Sequence, residues 1–85
     1  MSAKEEALKE IEWNVLKQRG SDHYKTDGGV QPIDLYRSMG ILRGFAIASI
    51  IKYAARNCDH QKPVSARDMS KIKHYADLLI AACGE

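Results

Sequence analysis

Ser49, Lys52 and Arg56 are separated by three and then four residues, the spacing that places side chains on one face of a helix. Lysine contributes a point charge and arginine a planar fork of donors, and the pair suits phosphate oxygens. Tyr53 and Phe45 flank this stripe. The surrounding segment is otherwise apolar, so two cations on it need a reason. The plainer reading is the solvated edge of a helix. A second group is the run His23-Tyr24-Lys25-Thr26-Asp27-Gly28-Gly29. The glycine backbones of Gly28 and Gly29 can turn N–H groups toward an anion. Tyr24 offers a ring to a base, and His23 and Lys25 offer donors to phosphate. The run lacks the Gly-x-x-x-x-Gly-Lys-Ser/Thr pattern of a Walker loop, and its plainer reading is a turn between two helices. A third group, Asp68, Lys71 and Tyr75, again shares a helix face, with His74 beside it. Here the plainer readings are a capping aspartate, a core tyrosine with its hydroxyl at the rim, and a surface histidine. Glu5, Glu6, Glu10 and Glu12 raise the idea of a metal-dependent helical pyrophosphatase. That chemistry needs acidic residues converging from more than one helix. The third helical segment has none and the last only Asp68 and Asp77, so no metal is expected.

Four helical segments would have to position these groups. The first spans about Ala3 to Arg19, with Leu8, Ile11, Val15 and Leu16 at helical spacing, acidic Glu5 and Glu6 in its first turn, and Gly20 to end it. Trp13 sits on it among charged residues and is expected to pack against another subunit. A short second helix begins at Pro32, runs through Ile33, Leu35 and Tyr36 to Met39, and stops at Gly40. The third covers about Leu42 to Asn57. It is apolar around most of its circumference, which predicts a central buried helix. A polar stretch to Val64 follows. Ser65 then caps a last helix, with Asp68 three residues on as the acidic half of a capping box. Met69, Ile72, Ala76, Leu79 and Cys83 form a seam at spacings of three and four that requires a partner helix. The expected fold is all-α, a small helical bundle with no strand.

The length of 85 residues allows one domain with one modest core, a size at which association is a common remedy. A homo-oligomer is therefore expected. With 45% hydrophobic and 28% charged residues the composition is globular, not disordered. A formal net charge of +2 is too small for non-specific binding to duplex nucleic acid, so any anion site must be local. Cys58 and Cys83 match no zinc or redox spacing, and Cys83 continues the apolar seam, which predicts a buried thiol. The charged N-terminus carries no apolar signal region and no run is long enough to span a membrane, so a cytoplasmic protein without a membrane partner is expected.

Three stretches in order resemble a small phage protein family: His23-Tyr24-Lys25 with Gly28-Gly29-Val30-Gln31-Pro32-Ile33-Asp34; Ile50-Ile51-Lys52-Tyr53 with Arg56; and Asp68-Met69, Lys71, His74-Tyr75 and Leu79-Ile80. Members of that family are commonly labelled phage nucleotide kinases of the T7 type, or a domain of unknown function. The resemblance covers about His23 to Ile80 and leaves the first helix, residues 1–20, outside a family-like region of 21–85. It departs at Ala48-Ser49, where the family usually has glycine-asparagine; a serine cannot reproduce an amide's paired donor and acceptor. The resemblance implies a nucleotide ligand and a cytoplasmic setting in an infected bacterial host. It joins the three candidate groups into one site, His23, Tyr24, Lys25, Gly28, Gly29, Gln31, Ser49, Lys52, Tyr53, Arg56, Lys71 and Tyr75. Phosphates would meet the cations, and a tyrosine would stack on the base.

The absence of a phosphate cradle and the scarcity of acidic residues favour binding over phosphoryl transfer. The expected function is sequestration of a nucleotide or cyclic nucleotide, such as a host immune signal, at a helical subunit interface. This is an anti-defence sponge that needs no cofactor. Two alternatives stand beside it. One is a deoxynucleoside monophosphate kinase, which would use magnesium. The other is a protein-interaction module that inhibits a host enzyme through Trp13 and the first helix.

Overall fold

A computed structural model describes residues 3–19 and 30–84, and the described residues form four helices and no strand. They are α1 (Ala3–Arg19), α2 (Pro32–Ser38), α3 (Leu42–Ala55) and α4 (Ala66–Cys83). Helix α4 packs on both α3 and α1, while the short α2 leans on α3. The all-α bundle expected from the periodicity is therefore the fold.

Local chemistry explains the boundaries. Pro32 occupies the first turn of α2, where its missing N–H costs nothing, and Asp34 accepts from the backbone N–H of the N-cap residue Gln31 at 2.8 Å. Gly40 adopts φ 76° and ends α2: its N–H donates to the Arg37 carbonyl at 3.2 Å and Ile41 N–H to Tyr36 at 2.9 Å, a Schellman pair. Ser65 caps α4 as expected, its hydroxyl accepting from Asp68 N–H at 3.1 Å. Asn57 ties the end of α3 to the start of α4. Its amide donates to the Tyr53 carbonyl at 2.8 Å and to Asp68 at 3.1 Å, and its carbonyl accepts from Ser65 N–H at 2.7 Å.

The core consists of Trp13, Leu16, Leu42, Leu78 and Ala81, with Ile33, Tyr36, Tyr75, Leu79 and Ala82 packed against it. Four expectations change here. Trp13 is only 1% exposed and is a central core residue of its own chain, not an outward anchor. Its indole N–H reaches Asp34 at 2.9 Å and Arg37 stacks over its ring at 4.6 Å, so both its apolar body and its polar edge are satisfied internally. On α1 the buried side is the Trp13–Leu16–Lys17 side, which leaves Leu8, Ile11 and Val15 exposed. Helix α3 is not buried all round: Leu42, Ala46, Ser49 and Tyr53 face inward, while Phe45, Ile47 and Ile51 remain exposed, Ile51 at 62%. A small bundle supplies neighbours on only one side of it. On α4 the deepest positions are Leu78 and Ala81, with Met69, Ile72, Ala76 and Leu79 half-buried. Cys83 is exposed, because the helix turns that position away from α1 and α3.

Candidate functional site

The α3 stripe and the α4 stripe meet across the largest helix–helix contact, and Tyr53 is where they meet. Its side chain comes from the inward face of α3 and is 8% exposed. Three cations converge on its ring. Lys52 Nζ lies 4.7 Å from the centroid, Lys71 Nζ 5.0 Å and the Arg56 guanidinium carbon 5.1 Å. Lys71 Nζ also approaches the Tyr53 hydroxyl at 3.4 Å. Among the described residues no carboxylate lies within ion-pair distance of Lys52, Arg56 or Lys71. Burial alone would push the Tyr53 phenol up. The hydrogen bond and charge of Lys71, followed by the charges of Lys52 and Arg56, outweigh it and hold the phenol below its usual value.

An aromatic ladder backs this cluster. Tyr53 stacks on Tyr75 with centroids 6.4 Å apart and planes 12° apart. Tyr75 meets Phe45 edge-on at 5.7 Å, and Phe45 meets Tyr36 at 4.6 Å. Ser49, 7% exposed, is buried on the α3 face toward Tyr75 and acts to lower that phenol's pKa. The Tyr75 phenol is pushed up, chiefly by burial, then by its tyrosine neighbours, with Ser49 opposing. On the far side of Lys71 and Tyr75 an open groove of about 700 Å³ runs along α4 past Arg67, Ser70 and His74 to Leu16 of α1.

The structure therefore brings together six expected residues: Ser49, Lys52, Tyr53, Arg56, Lys71 and Tyr75. Gln31 is placed elsewhere, buried at the start of α2. His23, Tyr24, Lys25, Gly28 and Gly29 lie outside the described residues. The Tyr53 and Tyr75 rings are stacked on each other within the ladder, Tyr53 is also covered by cations, and Tyr75 borders the groove. Among the described residues no three His, Cys, Asp or Glu side chains are grouped to hold a metal ion, and no helix is long and apolar enough to cross a membrane.

A second polar centre was not anticipated. The Asp34 carboxylate accepts from Trp13 Nε1 at 2.9 Å, Gln31 N–H at 2.8 Å and Lys17 Nζ at 2.9 and 3.1 Å. Burial pushes its carboxyl up, but the bonds from Gln31, Trp13 and Lys17, with the lysine's charge, hold it below the ordinary aspartate value. The signals were present in the four-residue spacing of Trp13 and Lys17 and in Gln31-Pro32-Ile33-Asp34 as cap, first turn and third position. Near it, Arg37 pairs with the exposed Glu10 at 2.6 Å.

A family model described as a protein of unknown function, DUF3310, matches residues 18–77. That match takes in α2, α3, most of α4 and the whole Tyr53 cluster. No curated protein and no solved structure matches the chain.

Proposed function

We propose, from the premise that the chain belongs to the DUF3310 family, that it binds a phosphate-bearing nucleotide at the Lys52–Arg56–Lys71 cluster and holds it without converting it. The observation that carries this reading is three cations gathered on one buried tyrosine with no carboxylate within ion-pair distance of them among the described residues. Like charges so placed repel one another, and a bound anion relieves that repulsion while gaining charge-assisted hydrogen bonds. The resemblance to a phage family with nucleotide labels supports nucleotide as the class of anion. Sequestration, including that of a cyclic nucleotide acting as a host immune signal in an infected bacterium, needs affinity alone.

A thermal-shift panel of nucleoside mono- and triphosphates, cyclic dinucleotides and cyclic trinucleotides, with and without magnesium, tests this. At least one ligand should raise the unfolding temperature, by an amount that grows with the logarithm of its excess over the dissociation constant. Turnover of that ligand would favour the kinase reading, and no shift from any of them would reject nucleotide binding.

A second reading has its own observation. Leu8, Ile11 and Val15 on α1, and Ile47 and Ile51 on α3, are exposed apolar side chains. Such surfaces mark association sites. They support self-assembly, or a protein-interaction role for the outward face of α1, with Trp13 excluded from it by burial. Light scattering at micromolar concentration separates a monomer from a closed oligomer.

A further inference from the structure

We infer, resting on the nucleotide-binding reading, that the cluster selects ligands by the number of contiguous phosphoryl groups, so that its ligand is a nucleoside di- or triphosphate. The three positive ends all fall within 5.1 Å of a single ring centroid. They share one ring, and the region around it is positive at three points that a chain of adjacent phosphoryl groups can bridge. Coulomb attraction grows with each anionic charge brought into that region. A monophosphate brings at most two charges there. A diphosphate chain brings three, on adjacent groups short enough to sit together. In a cyclic dinucleotide each linkage carries a single charge and a nucleoside separates the two, so only one of them can occupy the region.

The rings behind the cluster are engaged with one another. Tyr53 is stacked on Tyr75 and ringed by the cations; Tyr75 is held by Phe45; Phe45 is held by Tyr36. Ser49 is itself buried. The open groove beyond Lys71 gives a nucleoside room to lie, and its volume of about 700 Å³ is large enough for one. Its lining beyond Tyr75 holds the His74 ring and the Arg67, Ser70 and Asp77 side chains, so any recognition of the base falls to the groove and not to the cluster.

Isothermal titration at fixed ionic strength, with chelator present, compares purine and pyrimidine nucleoside mono-, di- and triphosphates, inorganic pyrophosphate and a cyclic dinucleotide. Affinity should rise about tenfold or more from mono- to diphosphate. The same step should appear with purine and with pyrimidine nucleotides, and pyrophosphate should compete. Lys71→Ala should shrink the step from mono- to diphosphate. Equal affinity for mono- and diphosphates, or tighter binding of the cyclic dinucleotide, would overturn the inference and leave nucleotide binding standing. Binding of none of them would remove both.

Discussion

Two polar centres of this molecule are built from similar parts and differ in closure. At Asp34 an anion is surrounded by donors from α1 and from the start of α2: an indole, a backbone N–H and a lysine that is itself buried. Every charge there has its opposite. At Tyr53 three cations surround a neutral phenol, and none is ion-paired with a described residue. A closed network contributes to the folded state, since removing one member strands the others without water. An open, one-signed cluster contributes little to stability, because its charges repel. On the proposed function it is completed by an anion from outside the chain.

The largest expected effect tests the closed side. Asp34→Ala leaves the Trp13 indole N–H and the Lys17 ammonium without their acceptor, and should cost about 3 kcal/mol of stability, measured by urea unfolding. A loss below about 0.5 kcal/mol, the range of an ordinary surface substitution, would place Asp34 on the same footing as the open cluster. Arg56→Ala sharpens the contrast from the other side. It should weaken ligand binding by about 1.5–3 kcal/mol, tenfold or more, while leaving the urea midpoint unchanged or slightly raised. Added salt should weaken the same binding. A fall in stability comparable to that of Asp34→Ala would dissolve the comparison.

Protonation probes both centres more gently. The folded Asp34 carboxyl ionises below the ordinary aspartate value, so the folded chain holds that proton less tightly than the unfolded one. The stabilisation it gives is complete above about pH 4 and is lost as the pH falls through the folded value. Unfolding curves at descending pH should show this loss, reduced in Asp34→Asn. At the other centre Tyr53 should ionise below free tyrosine, because Lys71, Lys52 and Arg56 favour the phenolate against the effect of burial. A near-ultraviolet phenolate titration should show one early tyrosine that moves up in Lys71→Ala. The smallest effect is a control: Lys4→Ala, on an exposed turn of α1, should change neither stability nor binding.

Much of the fold was legible because its signals are local. The Pro32 entry, the Gly40 stop and the Ser65 cap each depend on one residue's backbone or side-chain chemistry, and each is where the sequence placed it. Burial was less legible because it depends on neighbours. The apolar excess of α3 predicts a helix covered on all sides, but one α4 and one short α2 cover a single stripe, and Ile47 and Ile51 stay outside. The seam ending at Cys83 was read one position off the face that α1 and α3 share. For the site, helical spacing alone grouped Ser49 with Lys52 and Arg56, and Lys71 with Tyr75. Their convergence on Tyr53 requires α3 and α4 to pair in this register, which spacing within either helix does not specify. Asp34 escaped notice because its partners, Trp13 and Lys17, precede it by 21 and 17 residues, and a lone aspartate near a proline resembles a cap and nothing more.

The central claim is that the Tyr53 cluster is open because it receives an anion. The most direct measurement is calorimetric titration of a nucleoside triphosphate into the wild-type chain and into the Lys52→Ala/Arg56→Ala double variant, with urea unfolding of both. The account predicts at least about a tenfold loss of affinity in the variant at unchanged stability. Equal affinity in a folded variant would contradict it and reduce the stripe to the solvated edge of a helix.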